Sequence, residues 1–142
     1  MSRISIDQAN TIIAAAFVKA GELKLAPLSV AVLDAGGHLI AFQRQDGSSN
    51  MRAQIAIGKA SGALSLGVSS RKIGEMALER PTFFSALGSL APLGLLPAAG
   101  GVIVIGEDGF AIGAVGVTGD TSDNDEACGL AGIAAAGLTA KG

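Results

Sequence analysis

Lys59 is a residue whose surroundings in the sequence suggest chemistry. The sequence predicts a helix over residues 51–66, and the face that carries Lys59 is otherwise apolar or small. The other residues on that face are Ile55, Ala56, Gly62, Ala63 and Leu66. An ammonium at the edge of an apolar pocket binds a carboxylate, or acts as a base or an amine nucleophile when its pKa is lowered. Alternatively the alkyl stem covers apolar surface and the ammonium reaches water, and the sequence leaves both interpretations open.

Arg44 and Asp46 lie where the second predicted strand ends. A guanidinium at this point can bind a carboxylate through two parallel hydrogen bonds. It can equally pair with Asp46, or with Asp34 across the hairpin, and hold the turn; we prefer this structural interpretation and keep ligand binding as the alternative. Strict alternation predicts that one face of the strand is shared by His38, Ile40, Phe42 and Arg44.

Four carboxylates follow the last long predicted strand, namely Asp120, Asp123, Asp125 and Glu126. Such a cluster can ligate a hard cation, but its spacing lacks the alternating ligands, central glycine and distal glutamate of a calcium loop. Carboxylates in the first turn of a helix are favoured by its free N–H groups and dipole without a metal. We therefore predict helix capping and no metal site.

His38 is the only histidine and Cys128 the only cysteine. With no second imidazole, a histidine-rich metal site is excluded. A lone histidine at a hairpin edge is more often structural, and the alternative is an axial ligand of haem. Cys128 lies in an apolar helical stretch, which predicts that it packs as a small hydrophobic residue.

The last long predicted strand, over residues 110–118, is unusually poor in side-chain volume. Gly113, Ala114 and Gly116 have little or no side chain, so another backbone or a flat ligand can come close to this strand. Gly119 then makes the turn into the final helix.

The elements that position these residues are a helix, two strands, two or three helices, two strands and a last helix. Ser5 and Gln8 form a capping-box pattern ahead of the first helix. The predicted helices cover about residues 6–23, 51–66, 69–78, 81–87 and 122–138, and the predicted strands 30–34, 38–44, 102–105 and 110–118. Both strand pairs are predicted hairpins, which favours an antiparallel α+β sheet layered with helices, in a single domain over residues 1–142.

Composition excludes several classes of partner. Of the 142 residues only 15% are charged and 49% are apolar, which is poor cover for a monomer and predicts a homo-oligomer, a dimer or larger. A net charge of −2 without a basic stretch, and 4% aromatic residues, argue against a nucleic-acid partner. No apolar run approaches membrane-spanning length and no leader pattern begins the chain, so we predict no membrane partner and a cytoplasmic protein.

Three segments, taken in order, resemble the GlcG family, which includes the haem-binding HbpS and the C-terminal domain of PduO. They are DAGGHLIAFQRQDG from Asp34, AIGKA from Ala56, and GAVGVTG from Gly113 with a following Asp-Glu pair. Each motif is weak alone, but the ordered set is fairly specific and spans most of the chain. The chain departs from the family at Gln45, where an apolar residue is usual, and at Ile103, where proline is usual.

The resemblance implies a profilin-like fold, with helices on both faces of an antiparallel sheet, and assembly into dimers or larger oligomers. It also implies small-molecule binding, with haem-related or corrinoid-related chemistry in some members, so haem is a candidate cofactor. No haem-coordinating histidine of the family maps onto His38. The positions shared with the family are Asp34, Gly37, Arg44, Asp46, Gly47, Lys59, Gly116, Gly119 and Asp125.

The leading prediction is an oligomeric cytoplasmic protein that binds a small organic acid or a haem-related compound near a subunit interface. Arg44 and Lys59 supply positive charge, and Asp46 and Asp125 orient them. The predicted ligand-binding residues are Arg44, Asp46, Lys59, Gly116, Gly119 and His38. One alternative is a cofactor-free lyase or isomerase for a small carboxylate or carbonyl compound, with Lys59 and Asp125 as catalytic groups. The other is haem storage or sensing through His38.

Overall fold

The computed structural model describes residues 2–141, which form one layered α/β domain around a five-stranded antiparallel sheet. The helices are α1 (Ile6–Glu22), α2 (Arg52–Leu66), α3 (Ser70–Glu79), α4 (Pro81–Gly88) and α5 (Ser122–Ala135). The strands are β1 (Ser29–Asp34), β2 (Leu39–Arg44), β3 (Gly101–Ile105), β4 (Ala111–Thr118) and β5 (Thr139–Ala140). The predicted fold class, an antiparallel sheet flanked by helices, is confirmed.

The strand order is β2-β1-β4-β3-β5. The two predicted hairpins are confirmed, and they join side by side through the antiparallel pair β1–β4. The last helix ends at Ala135, short of the predicted residue 138, because Gly137 adopts a left-handed φ of 73° and turns the chain back. The residues released in this way form β5, which pairs with β3 and which the sequence did not predict.

The strict alternation predicted for β2 is wrong. Val32 of β1 pairs with Ala41, but the next residue, Leu33, pairs with Leu39, so Ile40 is an extra residue in a bulge. A bulge of this kind shifts every side chain on its far side to the opposite face. Arg44 lies on the near side of the bulge, where its pairing with Ser29 is regular.

Helices cover both faces of the sheet. On one face α1 and α5 enclose the main core, whose largest buried side chains include Ile12, Ile13, Leu28 and Ile133. On the other face α2 packs through Ala60 against Leu33 and Ala114. None of the helices in residues 2–141 is both long and apolar enough to span a membrane.

Glycines let α2 lie unusually close to the sheet. A Cβ atom at Gly116 would collide with the carbonyl oxygen of Ala56, and one at Gly101 would collide with that of Lys59. The close approach predicted for Gly116 is therefore confirmed, and the group that approaches is the backbone of α2. This contact fixes where the first turn of α2 lies, beyond Gly116 at the C-terminal end of β4.

Candidate functional site

A row of polar side chains crosses the sheet beneath the first turn of α2. Ser29 at the start of β1 pairs with Arg44 at the end of β2 on one side and with Thr118 at the end of β4 on the other. Directly paired residues of antiparallel strands point to the same face, with Cβ atoms about 4.5–5.5 Å apart. We call Arg44, Ser29 and Thr118 the polar row.

Arg52, in the first turn of α2, shows which face the polar row occupies. Its Nη1 donates a hydrogen bond of 2.8 Å to Oγ1 of Thr118, which is buried. The polar row therefore lies on the α2 face of the sheet. Cationic residues are unfavourable at the N-terminal end of a helix, and α2 has no acidic residue in its first turn and no side-chain cap.

Arg44 is exposed and lines an open cleft of about 520 Å³ together with Leu25, Pro27, Gln45 and Asp46. Within residues 2–141 its guanidinium forms neither an ion pair nor a hydrogen bond. In the described part of the chain Arg44 therefore does not make the structural pairing that we preferred, with Asp46 or Asp34. Asp46 lines the same cleft, so the structure brings these two predicted ligand-binding residues together.

Gln45 lines this cleft and is fixed by two hydrogen bonds to the backbone of Leu28. Its backbone N–H donates to the carbonyl of Leu28 at 2.9 Å, and its side-chain Oε1 accepts from the N–H of Leu28 at 2.8 Å. An apolar side chain, as is usual in the resembling family, cannot make the second bond. The departure at Gln45 therefore has a local structural function next to Arg44.

Lys59 and Asp125 form a buried ion pair that joins α2 to the start of α5. The Lys59 Nζ lies 3.3 Å from Oδ2 of Asp125 and donates a 2.9 Å hydrogen bond to the carbonyl of Val117. The Lys59 and Asp125 side chains are only 5% and 2% exposed. The other carboxylate oxygen, Oδ1, accepts from the backbone N–H of Asp120 at 2.9 Å.

Neither interpretation drawn from the sequence describes this lysine, because its ammonium neither reaches water nor lines a cleft. A Cβ at Gly100 would lie 2.8 Å from the ammonium, so the glycine backbone covers it directly. Burial lowers the pKa of Lys59 below 10.5; Asp125 opposes this shift, and the positive charge of Arg52 adds to it. The catalytic function of Lys59 and Asp125 stays a prediction.

The remaining carboxylates after β4 are engaged within the domain. Asp120 accepts from the amide of Asn124 and from the backbone N–H of Ala26, and these bonds, chiefly the one from Asn124, hold its pKa below the usual value. Arg71 of α3 binds both Asp123 and Glu126 of α5. The helix itself is capped by Thr121, whose hydroxyl accepts from Asn124 N. Within residues 2–141 no group of acidic, histidine or cysteine side chains could hold a metal ion.

Gly119 lies beside the Arg44 cleft, behind Pro27, whereas His38 lies apart from it. Gly119, with a φ of 147°, turns the chain against the backbone of Pro27 and Leu28. His38 lies on the β1–β2 hairpin at the opposite end of β2, with its side chain 82% exposed. Its Nδ1 lies 3.2 Å from Oδ1 of Asp34, which also accepts the backbone N–H groups of Gly36 and His38. These backbone bonds hold the pKa of Asp34 below 3.8.

Two buried hydroxyls near the N-terminus of α2 have no hydrogen-bond partner within residues 2–141. They are Oγ of Ser29, in the polar row, and Oγ of Ser48, in the loop from β2 to α2. Buried polar groups are nearly always paired, so an unpaired hydroxyl marks a point where a partner is missing. Three residues of this region were not predicted from the sequence: Ser29, Arg52 and Thr118. An arginine in the first turn of a helix without a side-chain cap was a usable signal for Arg52.

A family model described as "Haem degrading protein HbpS-like" matches residues 4–134. Among curated proteins, none matches the sequence.

Three solved structures are similar over nearly the whole chain. A PduOC:heme complex is 20% identical over 99% of this chain and 100% of the other, with a TM-score of 0.87. The Klebsiella pneumoniae protein ORFY is 26% identical over 96% and 93%, with a TM-score of 0.85. A double mutant of Streptomyces reticuli HbpS is 27% identical over 94% and 87%, with a TM-score of 0.80. These structures share the layered fold described above.

Proposed function

The chain belongs to the HbpS-like family, and on that premise we propose that it binds a small anionic organic ligand in the cleft lined by Arg44. The observation that carries this proposal is the state of the Arg44 guanidinium, which is exposed in a cleft of about 520 Å³ without an acidic partner within residues 2–141. A free guanidinium offers planar paired donors that match a carboxylate. Apolar contacts from Leu25 and Pro27 suit the carbon skeleton of such a ligand.

The charges around the polar row favour an anion. The carboxylates after β4 are engaged by Lys59, by Arg71 or by backbone N–H groups, so they do not neutralise Arg44 or Arg52. Asp46 lines the Arg44 cleft, but within residues 2–141 it forms no ion pair with Arg44. The larger cleft of about 780 Å³ is less suitable, because it is lined by none of the positions shared with the GlcG family. We propose ligand binding and not catalysis, because Lys59, the predicted catalytic residue, is buried and does not line the Arg44 cleft.

A calorimetric titration tests this proposal. Acetate, succinate and citrate are titrated into the wild-type protein, into Arg44→Ala and into a matched control, Arg80→Ala. Arg80 is an exposed arginine stacked on Phe83, so its replacement removes the same charge elsewhere. We expect saturable binding of at least one acid, weakened about tenfold or more by Arg44→Ala, as the loss of a charge-assisted hydrogen bond requires. Equal affinity in Arg44→Ala, or equal losses in both variants, would contradict the proposal.

Haem binding through His38 is a second candidate, favoured by one observation. Contact between Nδ1 of His38 and the Asp34 carboxylate favours the tautomer in which Nε2 is free to ligate a metal. The surroundings fit an axial ligand but not an enclosed haem, because the void beside this hairpin measures about 170 Å³. Ligand pockets usually measure about 300–1,000 Å³. A haem held by His38 therefore lies on the surface of the chain.

Absorption spectra distinguish this candidate. Haem is added to the wild-type protein and to His38→Ala. A ligand-shifted Soret band that disappears in His38→Ala supports ligation by His38. Identical spectra from the two proteins would remove this candidate.

We also propose that the protein is at least a dimer. The support is the low charged fraction of 15% together with exposed apolar side chains, among them Leu78, Leu90 and Phe110, which are 74–86% exposed. The cytoplasmic location stays a prediction; a single buried cysteine is consistent with a reducing compartment.

A further inference from the structure

We infer that Arg44 and Arg52 are the two ends of a site for a small dicarboxylate, with Ser29 between them. This inference rests on the proposed function and names its ligand class. It adds to the Arg44 cleft a second arginine, Arg52, which was not predicted from the sequence.

The sheet sets the distance between the two arginines. Arg44 ends β2, and the residue that holds Arg52, Thr118, ends β4; β1 lies between those strands. Neighbouring strands are about 4.8 Å apart, so Arg44 and Thr118 lie roughly 10 Å apart across the polar row. Two arginine side chains that start about this far apart, on one face of the sheet, can bind the two ends of one short dicarboxylate. A monocarboxylate can form a full set of hydrogen bonds with only one of the two arginines.

Arg52 is oriented and has donors to spare. One of its five N–H donors is used, in the 2.8 Å bond to Thr118, and within residues 2–141 it has no acidic partner. Its charge stands at the uncapped N-terminus of α2, whose free N–H groups add positive potential. Two cationic groups and a helix N-terminus facing one row are complementary to a dianion.

Ser29 gives a second, independent indication of a ligand. The residue is fully buried, and its Oγ has no hydrogen-bond partner within residues 2–141. It is paired in the sheet with both Arg44 and Thr118, so it lies between the two arginine ends. Ser29 is covered in the ligand-free protein, so a carboxylate held by Arg52 gives this hydroxyl its missing partner only when the cover over the polar row opens as the ligand binds.

The test compares succinate with acetate by calorimetry, with inorganic phosphate as a third probe. We expect the wild-type protein to bind succinate about tenfold or more tightly than acetate, because the second carboxylate gains charge-assisted hydrogen bonds. In Arg52→Ala this preference should fall to near one while acetate binding at Arg44 persists. Arg52→Lys and Thr118→Val keep the charge but lose the oriented guanidinium, and each should reduce the preference partly. If Arg52→Ala fails to fold, these two variants carry the test.

Ser29→Ala should affect stability and succinate affinity in opposite directions. Removing an unpaired buried hydroxyl should leave the ligand-free melting temperature unchanged or raise it, while succinate binding weakens severalfold. A purely structural serine would leave succinate binding unchanged, which would overturn its place in the site.

The outcomes separate this inference from the proposed function. If Arg44→Ala abolishes binding but Arg52→Ala keeps the full preference for succinate, the dicarboxylate site is wrong and the Arg44 cleft stands. If phosphate competes best and depends on Arg52 alone, the site is a single oxyanion site and the inference is overturned. If the wild-type protein binds none of the acids, both proposals fail.

Discussion

Replacing Lys59 by methionine should destabilise the domain by about 3–5 kcal/mol, the usual cost of removing one partner of a buried ion pair. Methionine keeps most of the side-chain volume, so the change is mainly electrostatic. It leaves the Asp125 carboxylate 2% exposed without its cation, and it leaves the carbonyl of Val117 without its donor. For a domain of this size each kcal/mol lowers the melting temperature by about 2–4 °C, so the variant should melt roughly 6–20 °C lower.

The assay is urea unfolding followed by circular dichroism, at one fixed protein concentration. Lys72→Met is the matched control, because Lys72 pairs with Glu75 at 3.7 Å on the surface, where such pairs contribute about 0–1 kcal/mol. A second comparison is Lys59→Met with Asp125→Asn, which removes the uncompensated charge and keeps an acceptor for the N–H of Asp120. This double variant should be more stable than Lys59→Met alone.

Two results would refute the reasoning. One is a loss in Lys59→Met as small as that in Lys72→Met, which would mean that the ion pair is hydrated in solution. The other is a double variant less stable than Lys59→Met, which would mean that the unpaired charge of Asp125 is not what destabilises the single variant.

Three further predictions follow from packing and burial. Gly116→Ala should destabilise the domain by about 1–3 kcal/mol, because the added Cβ meets the carbonyl of Ala56. The control is Gly21→Ala, in open space at the end of α1, which should be neutral or stabilising. Urea unfolding measures both variants, and equal stabilities would contradict the packing of α2. Burial raises the pKa of the Cys128 thiol to about 11, so Ellman's reagent at pH 8 should react with it only after unfolding. Rapid reaction of the native protein would contradict the burial of this thiol. Light scattering at micromolar concentration should give at least twice 13.9 kDa, and a monomer mass would exclude the expected assembly.

Local patterns predicted the elements well because each depends on neighbouring residues. The capping box is present as expected, with Gln8 N donating to Ser5 Oγ and Ser5 N donating to Gln8 Oε1. The two hairpins follow from short turns between β-branched runs. The bulge at Ile40 and the two-residue strand β5 have no periodic signal of their own, since each depends on a partner strand that is distant in the chain.

The site was harder to predict, because the contacts that define it join distant parts of the sequence. The pairs Lys59 with Asp125 and Arg52 with Thr118 are each separated by 66 positions. Both depend on how α2 crosses β4, which the sequence does not specify. Arg44 and Asp46 were found from the sequence because their chemistry is local to one turn. Ser29 carries no signal beyond its type, and only the register of β1 places it between two arginines.

The most direct test of the central claim is a crystal structure of the protein grown with saturating succinate. We expect a carboxylate of succinate in contact with the guanidinium of Arg44, in the cleft lined by Leu25 and Pro27. An Arg44 cleft empty of succinate, or succinate bound only elsewhere on the chain, would contradict it.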